Sequence, residues 1–165
     1  MARLDKFLYR VEQAACLFFC VLMIVIVTAE VACRYCLGTT LMVGVQEFAM
    51  WSFIWMVTMA CAALVHQKKH IAVEYFLQTF CPPGIQDIVY LLTEVFLIFF
   101  FVAVIITGFP FAFGQWGMRT TSANIPKTIP FLAVPVAISF MLVHSSLQIG
   151  RVLRKLFSSG AASEE

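Results

Sequence analysis

The sequence predicts an all-α membrane protein with four transmembrane helices and a short interfacial amphipathic helix between the second and third. Three observations carry this prediction. Hydrophobic residues make up 62% and charged residues 12% of the chain, with mean hydropathy +0.93, whereas a soluble domain is nearer half apolar and a quarter charged. Four apolar runs, at about 14–36, 45–65, 88–113 and 128–149, each reach the roughly 20 helical residues that a hydrocarbon core of roughly 30 Å requires. Period-two alternation is absent, and backbone in lipid must satisfy its own hydrogen bonds, so the runs are helices. They form one membrane domain over 1–157, and the small, polar and acidic residues 158–165 read as a disordered tail.

The N-terminal segment MARLDKFLYRVEQ puts Leu4, Phe7, Leu8 and Val11 on one helical stripe, with Arg3, Lys6 and Arg10 away from it. That pattern fits an interfacial helix, or equally the charged approach to a first span. The first apolar run is a retained helix rather than a cleaved leader, because Asp5 and Glu12 precede it, it is long, and three more spans follow. Near its end Glu30 and Arg34 stand four residues apart, spacing that lets the pair neutralise itself.

The second span opens on Glu47 and carries Trp51 and Trp55, then ends in the polar clamp His66-Gln67-Lys68-Lys69-His70. Val73, Phe76, Leu77 and Phe80 follow at helical spacing, with Glu74 and Gln78 on the polar side, until Pro82-Pro83-Gly84 breaks the pattern. This is the expected interfacial helix, at about 70–80. The third run exceeds the bilayer thickness and should tilt or protrude. It carries Glu94 near its start and Phe96, Phe99, Phe100 and Phe101 almost all round. The fourth contains Pro135, expected to kink or loosen it, and His144 toward its far end.

Orientation follows from the Lys and Arg count. Arg3, Lys6, Arg10, Lys68, Lys69, Arg151, Arg154 and Lys155 lie on one side, against Arg34, Arg119 and Lys127 on the other. Eight against three places both termini in the cytoplasm. The net charge of +2 implies no nucleic-acid partner. Lys68, Lys69, Arg151 and Arg154 are candidates for anionic lipid headgroups, each worth about 1 kcal/mol near the surface. Arg34, Glu47 and Arg119, on the outward side, are candidates for contact with a partner protein.

Two chemical alternatives arise. Cys33-Arg34-Tyr35-Cys36 is a C-x-x-C, the motif of a quinone-linked membrane thiol oxidase. That enzyme needs a second cysteine pair on the same face, and the third loop has no cysteine. His66 and His144 on neighbouring helices raise a haem-binding anchor, against which interfacial histidine is the simpler reading. No P-loop, metalloprotease helix or nucleophile elbow is present, and no residue is assigned to catalysis, a cofactor or a metal.

The order of features resembles the DctQ-like small membrane subunit of tripartite ATP-independent periplasmic (TRAP) transporters. Arg34-Tyr35 closes the first span, and Glu47 precedes Trp51, Phe53 and Trp55. Ala60-Cys61-Ala62-Ala63 then stands where the family often has a glycine. His70-Ile71-Ala72-Val73-Glu74 follows, and Ile125-Pro126 and Val134-Pro135 complete the pattern. The resemblance covers essentially the whole chain and is densest over 30–75 and 124–136. It implies a non-enzymatic subunit in the bacterial inner membrane. Its partners would be a large DctM-like membrane subunit, a periplasmic binding protein that captures an organic acid such as a dicarboxylate or sialic acid, and membrane lipids. The resemblance puts substrate and sodium sites in the large subunit, so this chain would act as a scaffold for it.

Overall fold

The computed structural model describes residues 2–40, 44–66 and 83–161. Four long helices account for most of them. Helix α1 spans Ala2–Ala32 and continues into a π-helical turn, Cys33–Leu37. Helix α2 spans Val45–His66, α3 Pro83–Gly114 and α4 Thr128–Ala161. Each is long and apolar enough to cross a membrane, over Asp5–Leu37, Val45–Val65, Leu92–Gly114 and Thr128–Gly150. Among the described residues there is no strand, only an isolated bridge between Arg119 and Pro126.

The helices do not close into a four-way bundle. Helix α2 packs on α1 and on α4, and α3 packs on α4. Helices α1 and α4 touch only slightly, and among the described residues α3 meets neither α1 nor α2. The spatial order is therefore α1-α2-α4-α3, an open row with α2 and α4 in the middle. Small residues let the row close up where its helices meet: Ala62, Ala112, Ala133 and Ala137 are buried. Lipid tails are as apolar as leucine, so close backbone approach, rather than hydrophobic exclusion, holds such contacts. Ring contacts add to it, with Phe19 of α1 stacked on Trp55 of α2 at 5.7 Å and Phe111 of α3 edge-on to Phe131 of α4 at 5.3 Å.

The outer helices keep large apolar faces turned away from the row. Leu17, Phe18, Val21, Ile24 and Val25 on α1 are exposed, as are Leu92, Phe96, Phe99 and Ile106 on α3. Of the phenylalanines that nearly encircle α3, Phe101 alone is buried.

Of the two readings of residues 2–13, the structure shows the approach to the first span: they are the first turns of α1, with Phe7 and Val11 outward and Asp5 and Glu12 buried. The reason is a buried histidine opposite them, described below. Helix α4 runs past 149 to Ala161, so residues 158–161 are helical rather than part of the expected tail. The interfacial helix expected at 70–80 lies outside the described residues.

Pro135 does not interrupt α4. It removes the donor that would serve the Phe131 carbonyl, while Ser139 Oγ donates to the Pro135 carbonyl at 2.7 Å, one turn further on. In a bilayer, packing against a neighbouring helix makes such a proline tolerable. Pro135 is buried against Gly108 of α3, where an added Cβ would stand 3.3 Å from the proline Cβ. Gly108→Ala should need only a small adjustment. Gly108→Val should force α3 off α4 at an overpacking cost of about 1–3 kcal/mol, seen as a lower unfolding temperature in detergent.

Candidate functional site

Two polar ties cross the row, one at each end. At the end that carries both termini, α1 contributes Asp5 and Glu12, seven residues apart and so on one helix face. Helix α4 contributes His144 between them. Its Nδ1 lies 2.7 Å from Asp5 Oδ1 and its Nε2 2.9 Å from Glu12 Oε1. All three are buried, with relative exposures of 0% for His144 and Glu12 and 4% for Asp5. Two ionised carboxylates accept from both ring nitrogens only if the ring is an imidazolium, and a neutral ring requires one carboxyl to carry a proton. In either state the apolar surroundings strengthen the bonds and penalise any partner left alone.

One turn further along α4, Gln148 Nε2 donates to the Val65 carbonyl of α2 at 2.7 Å. That carbonyl belongs to the last turn of α2, where the helix itself supplies no donor. Helix α4 is thus fastened to α1 and to α2 within two turns. Glu12 Oε2, Ser145 Oγ and Glu94 Oε2 are buried without a hydrogen-bond partner among the described residues.

The second tie holds α2 to the α3–α4 connection. That connection folds as a small hairpin: Thr120 N–H donates to the Ile125 carbonyl at 3.0 Å and Lys127 N–H to the Met118 carbonyl at 2.9 Å. Successive amides of its turn point at Glu47 in the first turn of α2, Ser122 N to Oε1 at 3.3 Å and Ala123 N to Oε2 at 3.1 Å. The Thr120 and Ser122 hydroxyls bond the same carboxylate. Consecutive backbone N–H groups in a turn form a natural anion nest, and a carboxylate in the first turn also suits the helix dipole. Glu47→Ala should release the hairpin while leaving the helices in place. The check is amide hydrogen exchange at Ser122 and Ala123, which should speed up in Glu47→Ala and less so in Glu47→Gln.

The residues singled out from sequence fall into different positions. Glu47, half-buried, has its carboxylate bound by the 122–123 turn of this same chain. Arg34 is exposed in the π-helical turn. Arg119 is exposed and donates from one guanidinium nitrogen to the Asn124 carbonyl at 2.9 Å. Arg151 and Arg154 lie along the final turns of α4, while Lys68 and Lys69 fall outside the described residues. His144 is fully buried, and its two ring nitrogens bond Asp5 and Glu12. Cys33 is half-buried and Cys36 exposed, both free thiols, and Cys61 points away from the helix contacts made by Ala62 and Ala63. Among the described residues no group of His, Cys, Asp and Glu side chains is arranged to hold a metal ion.

The two ties hold the described helices in a set arrangement. Comparison with known families places the chain. The family model for tripartite ATP-independent periplasmic transporters, DctQ component, matches residues 23–155. The chain belongs to the DctQ family. No curated protein matches the chain. The matched region takes in Pro135, the Glu47 tie and His144, but starts after Asp5 and Glu12. A DctQ component is a small membrane subunit of a TRAP transporter, and four spanning helices make this one a multi-pass membrane protein.

Proposed function

We propose that this DctQ chain is the scaffold of a TRAP permease: it binds a large DctM-like membrane subunit and braces it in the bilayer. The observation that carries this reading is the open row itself. A carrier whose transport domain moves needs a fixed frame, and an open array tied at both ends widens such a frame. A closed bundle would bury the apolar faces that α1 and α3 leave turned outward. The large subunit would transport an organic acid, such as a dicarboxylate or sialic acid, driven by sodium and delivered by a periplasmic binding protein. Transporter sites for substrate and ion sit near the midplane between broken helices, and the polar groups of this chain instead cluster toward the ends of continuous ones.

In this reading both termini are cytoplasmic, following the positive-inside rule. Lys68, Lys69, Arg151 and Arg154 then lie at the inner headgroups, where each cation gains about 1 kcal/mol from anionic lipid. Arg34, Arg119 and the hairpin that Glu47 holds face the periplasm, within reach of the binding protein. The test is uptake in cells lacking this chain but retaining the other two components. Sodium-dependent accumulation of the acid should vanish and return when the chain is resupplied. Undiminished uptake without it contradicts the scaffold. If Glu47→Ala and Arg119→Ala both leave assembly and uptake unchanged, these side chains make no contact that matters.

A further inference from the structure

We propose that Asp5, His144 and Glu12 form a lock that sets the rotation of α1 about its own axis, and so decides which of its faces the assembled protein presents. The argument begins with α1 itself. From Cys16 to Val27 the helix is apolar all round: Leu17, Phe18, Phe19, Val21, Leu22, Met23, Ile24, Val25 and Ile26 occupy every direction. In water the buried face would be chosen by hydrophobicity, but in lipid it is not, because the outward side is solvated as well as the inward one. A turn of α1 by one residue would replace Phe19 by Phe18 against Trp55 at little cost in contact.

The polar groups break that degeneracy. Asp5 and Glu12 lie on one line of α1, and His144 is fixed on α4, the helix with which α1 otherwise has little contact. The two bonds, 2.7 Å and 2.9 Å, approach opposite sides of one imidazole. A rotation of one residue, about 100°, would carry both carboxylates off the ring and break two buried bonds at once. Specifying register is the best-attested use of buried ionic groups, which otherwise contribute little net stability. The faces of the N-terminal turns agree, since Phe7 and Val11 are turned out and the acids turned in.

The inference is independent of the transporter reading, because the rotation is read within this chain. The experiment uses the full chain in native membranes, with all six native cysteines replaced by alanine. Phe19→Cys with Trp55→Cys, and Phe18→Cys with Trp55→Cys, are treated with a short bis-methanethiosulfonate cross-linker. With the lock intact, the 19–55 product should exceed the 18–55 product by at least about tenfold, as expected for one dominant state. In the variant Asp5→Leu, Glu12→Leu, His144→Leu, which removes every charge together, the two products should become comparable. Persistence of the 19–55 preference in that variant overturns the proposal. A second comparison covers the case in which the triple variant does not accumulate. Glu12→Gln keeps an acceptor for His144 and should keep the preference, whereas Glu12→Leu should lose it; identical behaviour of these two also overturns the lock.

Discussion

His144→Leu is expected to be the most damaging single substitution in the chain. It removes the group that both Asp5 and Glu12 bond, and leaves two buried carboxylates without the imidazole between them. Breaking a buried ion pair by deleting one partner costs roughly 3–5 kcal/mol, because the group left behind has lost a buried bond that water does not replace. The carboxylates can reduce that cost by taking up protons, but they still lose their hydrogen bonds. The expected result is a chain that accumulates poorly in the membrane and unfolds at a distinctly lower temperature in detergent. Replacing all three residues by leucine should recover most of the loss, since an apolar replacement of a whole buried ionic group is often neutral. A mild phenotype for His144→Leu alone would show that the cluster is more hydrated than its burial indicates.

Gly44→Val should be the most damaging change at the opposite end. Gly44 has a φ of 89°, a conformation that costs a side-chain-bearing residue about 1–3 kcal/mol. An added Cβ would also lie 2.8 Å from Ala123 Cβ, 2.9 Å from Ala123 N and 3.0 Å from Ala123 Cα. Two of those three atoms are backbone, so the hairpin must move away. It is the hairpin whose amides bind Glu47, and the Gly44 carbonyl accepts from Glu47 N at 2.9 Å to start α2. One substitution therefore strains the start of the helix and separates the tie it supports. Proteolysis of intact membranes should cut the 115–127 connection faster in Gly44→Val than in the parent, and Gly44→Ala should show the same effect in weaker form.

The helices were legible because each span is a continuous property of neighbouring residues. The second, 45–65, coincides with the structural span, and the third and fourth differ from it by a few residues. The ties were not legible in the same way. His144 stands 139 residues from Asp5 and 132 from Glu12, and no periodicity connects positions so far apart. In the sequence Asp5 and Glu12 argue only against a cleaved leader, and the apolar stripe of Phe7 and Val11 says nothing of which face meets another helix. One signal was present: polar residues at helical spacing beside apolar spans, Asp5 with Glu12 and His144 with Gln148, are costly unless they meet one another. Glu47 was visible as an acid at the head of a span, but its partners are the amides of Ser122 and Ala123. Backbone donors carry no residue identity, so a nest of this kind leaves no mark in the sequence beyond the turn that makes it.

The side-by-side order of the helices could not be read from sequence either. Short connections make α1 and α2 neighbours, and α3 and α4 neighbours, but nothing in them decides whether the two pairs close into a bundle or lie in a row. The contacts of α2 with α4 decide it, among them the bond from Gln148 to Val65.

The scaffold account is tested most directly by purifying the tagged chain from its native membranes in mild detergent, with mass spectrometry of what accompanies it and a visible spectrum. The account predicts a much larger polytopic permease recovered in stoichiometric amount and no chromophore. Recovery of the chain alone, or with bound quinone or haem and a redox partner, would contradict it.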